Sequence, residues 1–290
     1  MFSGIAFFQT EAVSGTVYDT DAQAFITAAA LTSDLQKGAI NQLVLDFKAA
    51  GTWGLMLAIY PFIGGTASSH KYNLKDPQDT DAAFRLTFSG GWTHSSTGAR
   101  TNGVNAYANT FINPSTSTGG GGSIKMLSTS ASVHQYHRTA DPGIGGGPNH
   151  GGYASGNTRM CLVNWQSGTG DCDSRLLTTN TFPPVLNAAF LKRGNLITYK
   201  TNGTTIRYRT DDGTGEPTKT MTVTAAMPNM LFLIGARYTG ATPPAIGTPN
   251  SWVNSDINFF AIGAGISSTQ STAQKAAVTT YQTTLSRLYV

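Results

Sequence analysis

Glutamate is almost missing from this chain: Glu11 and Glu216 are the only two in 290 residues. Glycoside hydrolysis ordinarily uses two carboxyl groups about 5–9.5 Å apart, so a glycosidase reading starts without its usual residues. Cysteine is equally sparse, with Cys161 and Cys172 alone. Two thiols build neither a disulfide framework nor a four-thiolate zinc site. A Cys161–Cys172 bridge closing a hairpin loop is a weak candidate disulfide, since a reducing cytoplasm would keep both as thiols. Charged residues make up 12% of the chain, against about 25% in ordinary domains. The net charge of +4 rests on 19 Lys and Arg with no run of them, so no phosphate-tracking stripe forms and nucleic acid is not an expected partner. No apolar run is long enough to span a membrane, and the start, Met1 to Phe8, lacks a basic lead and a long apolar core. Neither a membrane nor an export signal is expected.

What is present is Thr, Ser, Asn and Gly, in short apolar runs that alternate with turn residues. A chain of this length suggests two domains, yet sandwiches often run to ~250 residues as one unit. The pattern predicts an arm over 1–19, a helical lead-in over 20–61, a β-sandwich over 62–266 and a closing helix over 267–290. Helices are expected over 20–31 and 33–50. Ser33 with Gln36 gives a capping-box spacing, and Ile40, Leu43, Val44 and Phe47 form one apolar stripe. Residues 53–60 read as a third short helix, although a continuous apolar run also suits a buried strand. Strands are expected over 85–88, 106–112, 133–138, 160–165, 195–201, 204–209, 220–224, 230–237 and 257–263. The pair 85–88 and 106–112 reads as antiparallel partners across an arch whose tight turn is Asn102-Gly103. Asn202-Gly203 matches a two-residue type I′ hairpin turn. The glycine-rich stretches 119–122 and 141–152 read as surface loops or subunit contacts. Ser267 and Gln270 open the last helix, with Ala277, Val278, Tyr281, Leu285 and Leu288 on one face.

The phrase Thr101-Asn102-Gly103-Val104-Asn105-Ala106-Tyr107 resembles a strand opening of laminin-G-like, concanavalin-like jelly rolls. Together with Asn73-Leu74-Lys75-Asp76-Pro77, Gly91-Trp92-Thr93-His94 and Tyr281 to Arg287, it is similar to virion structural proteins of tailed bacteriophages. The resemblance implies a mainly β, concanavalin-like antiparallel β-sandwich with N-terminal helices and a C-terminal helix. It implies a virion component, assembled in the host cytoplasm and placed on the capsid as decoration or head fibre, or on the tail. Its partners would be other virion proteins and further copies of itself.

Chemistry is scarce. The acidic run E-x-D-x-x-E typical of laminarinase-like jelly rolls is absent, and Asp171 with Asp173, the one spaced acidic pair in the strand-rich region, is expected to shape a turn after Gly170. No G-x-S-x-G, H-E-x-x-H or Walker loop occurs, so no enzyme activity and no catalytic residue is expected. His134 and His137 invite a metal reading, with His150 nearby in sequence. Residues three apart on a strand point to opposite faces, so the two are expected instead to face solvent or a neighbouring subunit. Asp76, Asp79 and Asp81 supply hard oxygens at close spacing and are the candidate calcium ligands, without the glycine and bidentate Glu of an EF-hand. Six aromatics, Trp92, Tyr107, Tyr136, Tyr153, Trp165 and Trp252, could stack on sugars, although large aromatics mostly serve cores. Tyr153 and Trp252 are expected to be the most exposed and are the candidate glycan contacts. The functional expectation is a non-enzymatic virion component, with glycan binding for host adsorption as the alternative and polysaccharide depolymerisation last.

Overall fold

The computed structural model describes residues 16–140, 149–153, 159–163, 174–176, 193–211, 216, 218–220, 226–239 and 248–289. Helices α1 (Thr20–Ala28) and α2 (Asp34–Ala49) lead into strand β1 (Met56–Tyr60) and the one-turn helix α3 (Ala67–His70). Next come β2 (Thr87–Ser89), β3 (Trp92–Ser95), β4 (Gly98–Thr101) and β5 (Tyr107–Asn109), then β6 (Thr118–Gly119) and β7 (Ile124–Lys125). The longer strand β8 (Ala131–His137) is followed by β9 (Asn149–Tyr153), β10 (Arg159–Val163), β11 (Ser174–Leu176), β12 (Gly194–Lys200) and β13 (Thr205–Thr210). Strands β14 (Thr218–Thr220), β15 (Leu233–Ile234), β16 (Arg237–Thr239), β17 (Thr248–Asn250) and β18 (Asp256–Gly263) precede helix α4 (Ser268–Thr284).

The helices form where the capping chemistry predicts. Ser33 Oγ accepts from Gln36 N–H, and Ser267 and Gln270 cap each other reciprocally, with Gln270 N–H on Ser267 Oγ at 3.2 Å and Ser267 N–H on Gln270 Oε1 at 2.9 Å. Ile40, Leu43, Val44 and Phe47 are all buried, so the stripe on α2 faces the protein. Burying each such side chain is worth roughly 1.5–3 kcal/mol.

Among the described residues, the largest sheet has the order β14-β13-β12-β8-β18-β4-β3, with β1 also paired to β18, and every pairing in it is antiparallel. Strand β8 lies between β12 and β18 and is buried at every position. Its two faces serve two cores. Tyr136 joins Phe259, Ala261, Ile197 and Tyr199 beneath α1, α2 and α4. Ala131 and Val133 join Ile257, Phe260 and Ile262 under a second layer that supplies Leu86, Ala108 and 230–234. The register of β18 shifts between Ile257 and Phe259, a bulge that lets Ile257 and Phe260 share a face although three residues apart. The second layer comprises the sheet β15-β5-β2 and the sheet β11-β10-β9-β16-β17, in which β9 and β16 are parallel. The architecture is mainly β: a concanavalin-like antiparallel sandwich with N-terminal helices and a C-terminal helix on the outer face of its large sheet.

Three local expectations are corrected. Residues 53–60 form a single 3₁₀ turn (Trp53–Leu55) and then β1, because the apolar run is buried from both sides and its backbone pairs with β18. Residues 149–152, expected in a loop, belong to β9: their backbone is paired by β10 throughout and by β16 from Gly151 on, so no apolar alternation is needed to make a strand. The Asn202-Gly203 hairpin forms, but the pairing of Thr198 with Tyr208 and Tyr199 with Arg207 sets a register that leaves an odd number of residues between the strands, so the loop is not a two-residue one. Asn202 Oδ1 accepts from Thr204 and Thr205 N–H at 2.9 and 2.7 Å, so its side chain closes the turn that the type I′ backbone would have closed.

Candidate functional site

Two of the phrases that carry the family resemblance, 91–94 and 101–107, meet in the arch between β2 and β5, which pair antiparallel as expected. Asn102 Oδ1 accepts the N–H groups of Val104, Asn105 and Ala106 at 3.0–3.2 Å, and Gly103 takes the left-handed conformation at φ 71°. Asn105 Oδ1 in turn accepts from Gly91 N–H at 3.0 Å. Trp92 Nε1 donates to Tyr107 O at 3.0 Å, and the ring of Trp92 packs edge-on against Phe88 and stacks near His94. Trp252 is half-buried, its ring 6.4 Å from that of Tyr107. Beside it in sequence, Asn250 Oδ1 accepts from Arg237 Nε and Nη2, and Arg237 Nη2 also donates to Ser251 Oγ at 3.1 Å. Aromatic surface next to a fixed polar cluster is a surface that can hold a polar ring by one face and its edge.

Four of the five histidines are buried and His94 is half-buried, which corrects the expectation that His134 and His137 face solvent or a neighbour. The expected opposition of faces holds. His134 lies against Phe259 on the helix side and its Nε2–H donates to Asn195 Oδ1 at 2.8 Å. His137 lies on the other side, with His150. Gly235 N–H donates to His150 Nδ1 at 3.0 Å, which leaves His150 Nε2–H to donate to His137 Nε2 at 3.1 Å and His137 Nδ1–H to donate to Ser255 Oγ. A second pair follows the same logic. Gly65 N–H donates to His70 Nε2 at 3.2 Å, so His70 Nδ1–H donates to His94 Nδ1 at 2.9 Å. Burial pushes His70 and His137 down to about 3 and His134 to about 4, and it also lowers His94 and, further, His150. These are neutral structural imidazoles. No group of three or more His, Cys, Asp and Glu among the described residues is arranged to hold a metal ion.

The remaining predicted residues are scattered. Tyr153 ends β9, opposite Arg159 and Thr239, rather than standing in a loop. Asp79 takes Lys71 at 2.5 Å and Arg85 at 3.3 Å, and Asp81 takes Arg85 at 3.0 Å. The Lys71 hydrogen bond holds Asp79 below the usual carboxylate range. Asp76 accepts from Gln78 Nε2 at 2.8 Å, so of the three candidate calcium ligands Asp79 and Asp81 are committed to cations, sharing Arg85, and Asp76 to a neighbouring amide. Cys161 lies on β10 opposite Gly151 and Arg175, while Cys172, Trp165, Asp171 and Asp173 lie outside the described residues.

No protein-family model matches the sequence, and no curated protein matches it. Among solved structures, the chain is similar to domain 4 of AbnA, a GH43 extracellular arabinanase from Geobacillus stearothermophilus, in complex with arabinotriose. The identity is 12% and the TM-score 0.46, over 77% of this chain and 98% of that one. So distant a likeness transfers no function.

Two features escaped the sequence. Lys75 Nζ stands 3.8 Å over the ring of Trp53, and desolvation brings its pKa down to about 8. Arg287 is buried at the end of the chain's last helical turn. Neither has a local signal, because Trp53 lies 22 residues from Lys75 and the carbonyls of Pro61 and Phe62 lie more than 220 residues from Arg287.

Proposed function

We propose that this protein is a non-enzymatic structural component of a bacteriophage virion, mounted on the capsid or the tail through other virion proteins. The observation that carries the reading is what the shared phrases do in the fold. Asn73 ties β1 to its neighbours by accepting from Ile59 N–H and donating to Leu57 O and Ala83 O. Trp92, Asn102 and Asn105 hold the arch, and Arg287 donates to the carbonyls of Pro61 and Phe62. Each is a joint between segments, so the resemblance is one of framework rather than of reacting groups. Two carboxylates of the large sheet's neighbourhood are likewise matched to cations: Asp256 to Arg100 and Arg138, Glu216 to Arg207 and Arg209. Cryo-electron microscopy of the intact particle tests the reading. The expected result is density for the sandwich on the shell or tail with the helix layer towards the particle; absence of the chain from purified particles would overturn it.

A second reading, favoured by the half-buried Tyr107–Trp252 pair beside Asn250 and Ser251, is that the particle holds host-surface glycan through this domain. Trp252→Ala tests that surface: reduced retention on host polysaccharide with particle assembly intact places the contact there, and unchanged retention removes Trp252 from the contact.

A further inference from the structure

A cavity of about 170 Å³ opens where the outer edge of β1 meets the β6–β7 hairpin. Its walls come from four segments, and each departs from regular backbone. β1 shifts register against β18 between Met56 and Ala58, which makes Leu57 the extra residue of a bulge. Asn73 and Asp76 close an isolated bridge, and Phe84 is a non-glycine residue in the left-handed region at φ 59°. Gly120, Gly121 and Gly122 are left-handed in succession, at φ 55°, 67° and 96°. A Cβ on Gly121 or Gly122 would meet nothing within 4 Å, so backbone conformation and not packing requires glycine there. A bulge forfeits local pairing and a left-handed non-glycine residue costs of order 1–3 kcal/mol, and both gather at binding and catalytic sites. Two of them, at Leu57 and Phe84, face one cavity.

The lining divides by chemistry. Leu57, Phe84 and Ile124 give an apolar side, while Lys75, Asp76 and Thr118 bring an ammonium, a carboxylate and a hydroxyl. Trp53 under Lys75 Nζ restrains that side chain. A pyranose ring has the same division, with C–H faces that lie on apolar walls and hydroxyls around its edge. Size selects one ring: a cavity of about 150 Å³ takes a benzene, whereas sites for larger organic ligands run to ~300–1,000 Å³.

We propose that this cavity binds a single saccharide unit, as the end or a branch of a surface polysaccharide, with Asp76 accepting from and Lys75 donating to its hydroxyls. The proposal rests on the glycan-binding reading and moves the contact from Tyr153 and Trp252 to the β1 edge. Saturation-transfer NMR on the full chain with glucose, galactose, mannose, rhamnose and N-acetylglucosamine, and an array of bacterial polysaccharides, test it. At least one sugar should bind. Thr118→Trp, at an exposed rim position, should abolish that binding, and Asp76→Asn should weaken it about tenfold through one lost charge-assisted hydrogen bond. Trp252→Ala, at the other candidate surface, separates the two contacts, and thermal melts should show all three variants folded. If Thr118→Trp does not fold, Asp76→Asn decides. Binding lost in Trp252→Ala but kept in both cavity variants would overturn the cavity and leave the glycan reading standing. Failure of the unaltered protein to bind any sugar would end both.

Discussion

The guanidinium of Arg287 is 1% exposed, and its hydrogen-bond partners among the described residues are neutral. Nη1 donates to Phe62 O at 2.8 Å, Nη2 to Pro61 O at 3.4 Å and Nε to Gln282 Oε1 at 3.1 Å. Phe62 is itself left-handed at φ 46°, so the two carbonyls sit at a sharp reversal just after β1. Burial pulls the Arg287 pKa below the usual arginine value, yet the group stays a cation because it starts so high. Arg287→Met keeps the side-chain bulk and strands two buried acceptors, Phe62 O and Gln282 Oε1, while Pro61 O keeps its bond from Tyr281 Oη at 3.0 Å, and we expect it to cost about 2–4 kcal/mol in urea denaturation. Arg287→Lys should recover only part of that, since one ammonium cannot reproduce a planar fork. Equal stability of Arg287→Met and the unaltered protein would mean that this contact does not hold the reversal in place.

At the scale of elements, the hairpin between β12 and β13 separates two accounts of one dipeptide. Gly203 is not in the left-handed region, and a Cβ there would make an ordinary 3.6 Å contact with Thr129. Gly203→Ala should therefore change stability by less than about 0.5 kcal/mol, whereas Asn202→Ala should cost about 1 kcal/mol by removing the acceptor of two N–H groups. The reverse ranking in thermal melts would restore the type I′ turn. The same contrast explains what could be read in advance. Helices α2 and α4 were legible because their caps and stripes are local patterns. Strand β1 was not, since burial from both faces erases alternation, and β9 was not, since its pairing depends on β16, more than 80 residues on. Opposed faces for His134 and His137 follow from strand geometry alone. That His137 would meet His150, and His70 meet His94, depends on long-range pairing that no spacing encodes.

For the whole molecule, four buried imidazoles and a half-buried fifth make acid the weak direction. Each has its folded pKa lowered, so between about 6.5 and its folded value the unfolded chain binds the proton and the folded one does not. Stability is complete above about pH 6.5 and is lost as pH falls below it, by up to ~1.4 kcal/mol per pH unit for each fully buried ring. Charges on the packed elements adjust this without reversing it: Arg287 and His94 disfavour a proton on His70, and His137 disfavours one on His150, while Asp211 and Lys275 oppose each other at His134. The depressed carboxylates of Asp19 and Asp79 add losses only below their ordinary 3.8. Urea midpoints should hold from about pH 7.5 to about pH 6.5 and fall steeply from there to about pH 5, and a flat profile over the whole range would contradict the burial of these rings.

The pairing of β1 with β18 also sets how the protein responds to pulling. Met56 is opposite Gly263, so the strand end reached from the N-terminal side lies across from the strand end reached from the C-terminal side. A load applied through α2 and α4 thus arrives at one end of an antiparallel pair and opens it a hydrogen bond at a time, instead of shearing all of its bonds together. A domain that resists urea at neutral pH should still yield at low force when stretched between its two helical ends, while the opposite layer, off the load path, stays folded until the central sheet has parted.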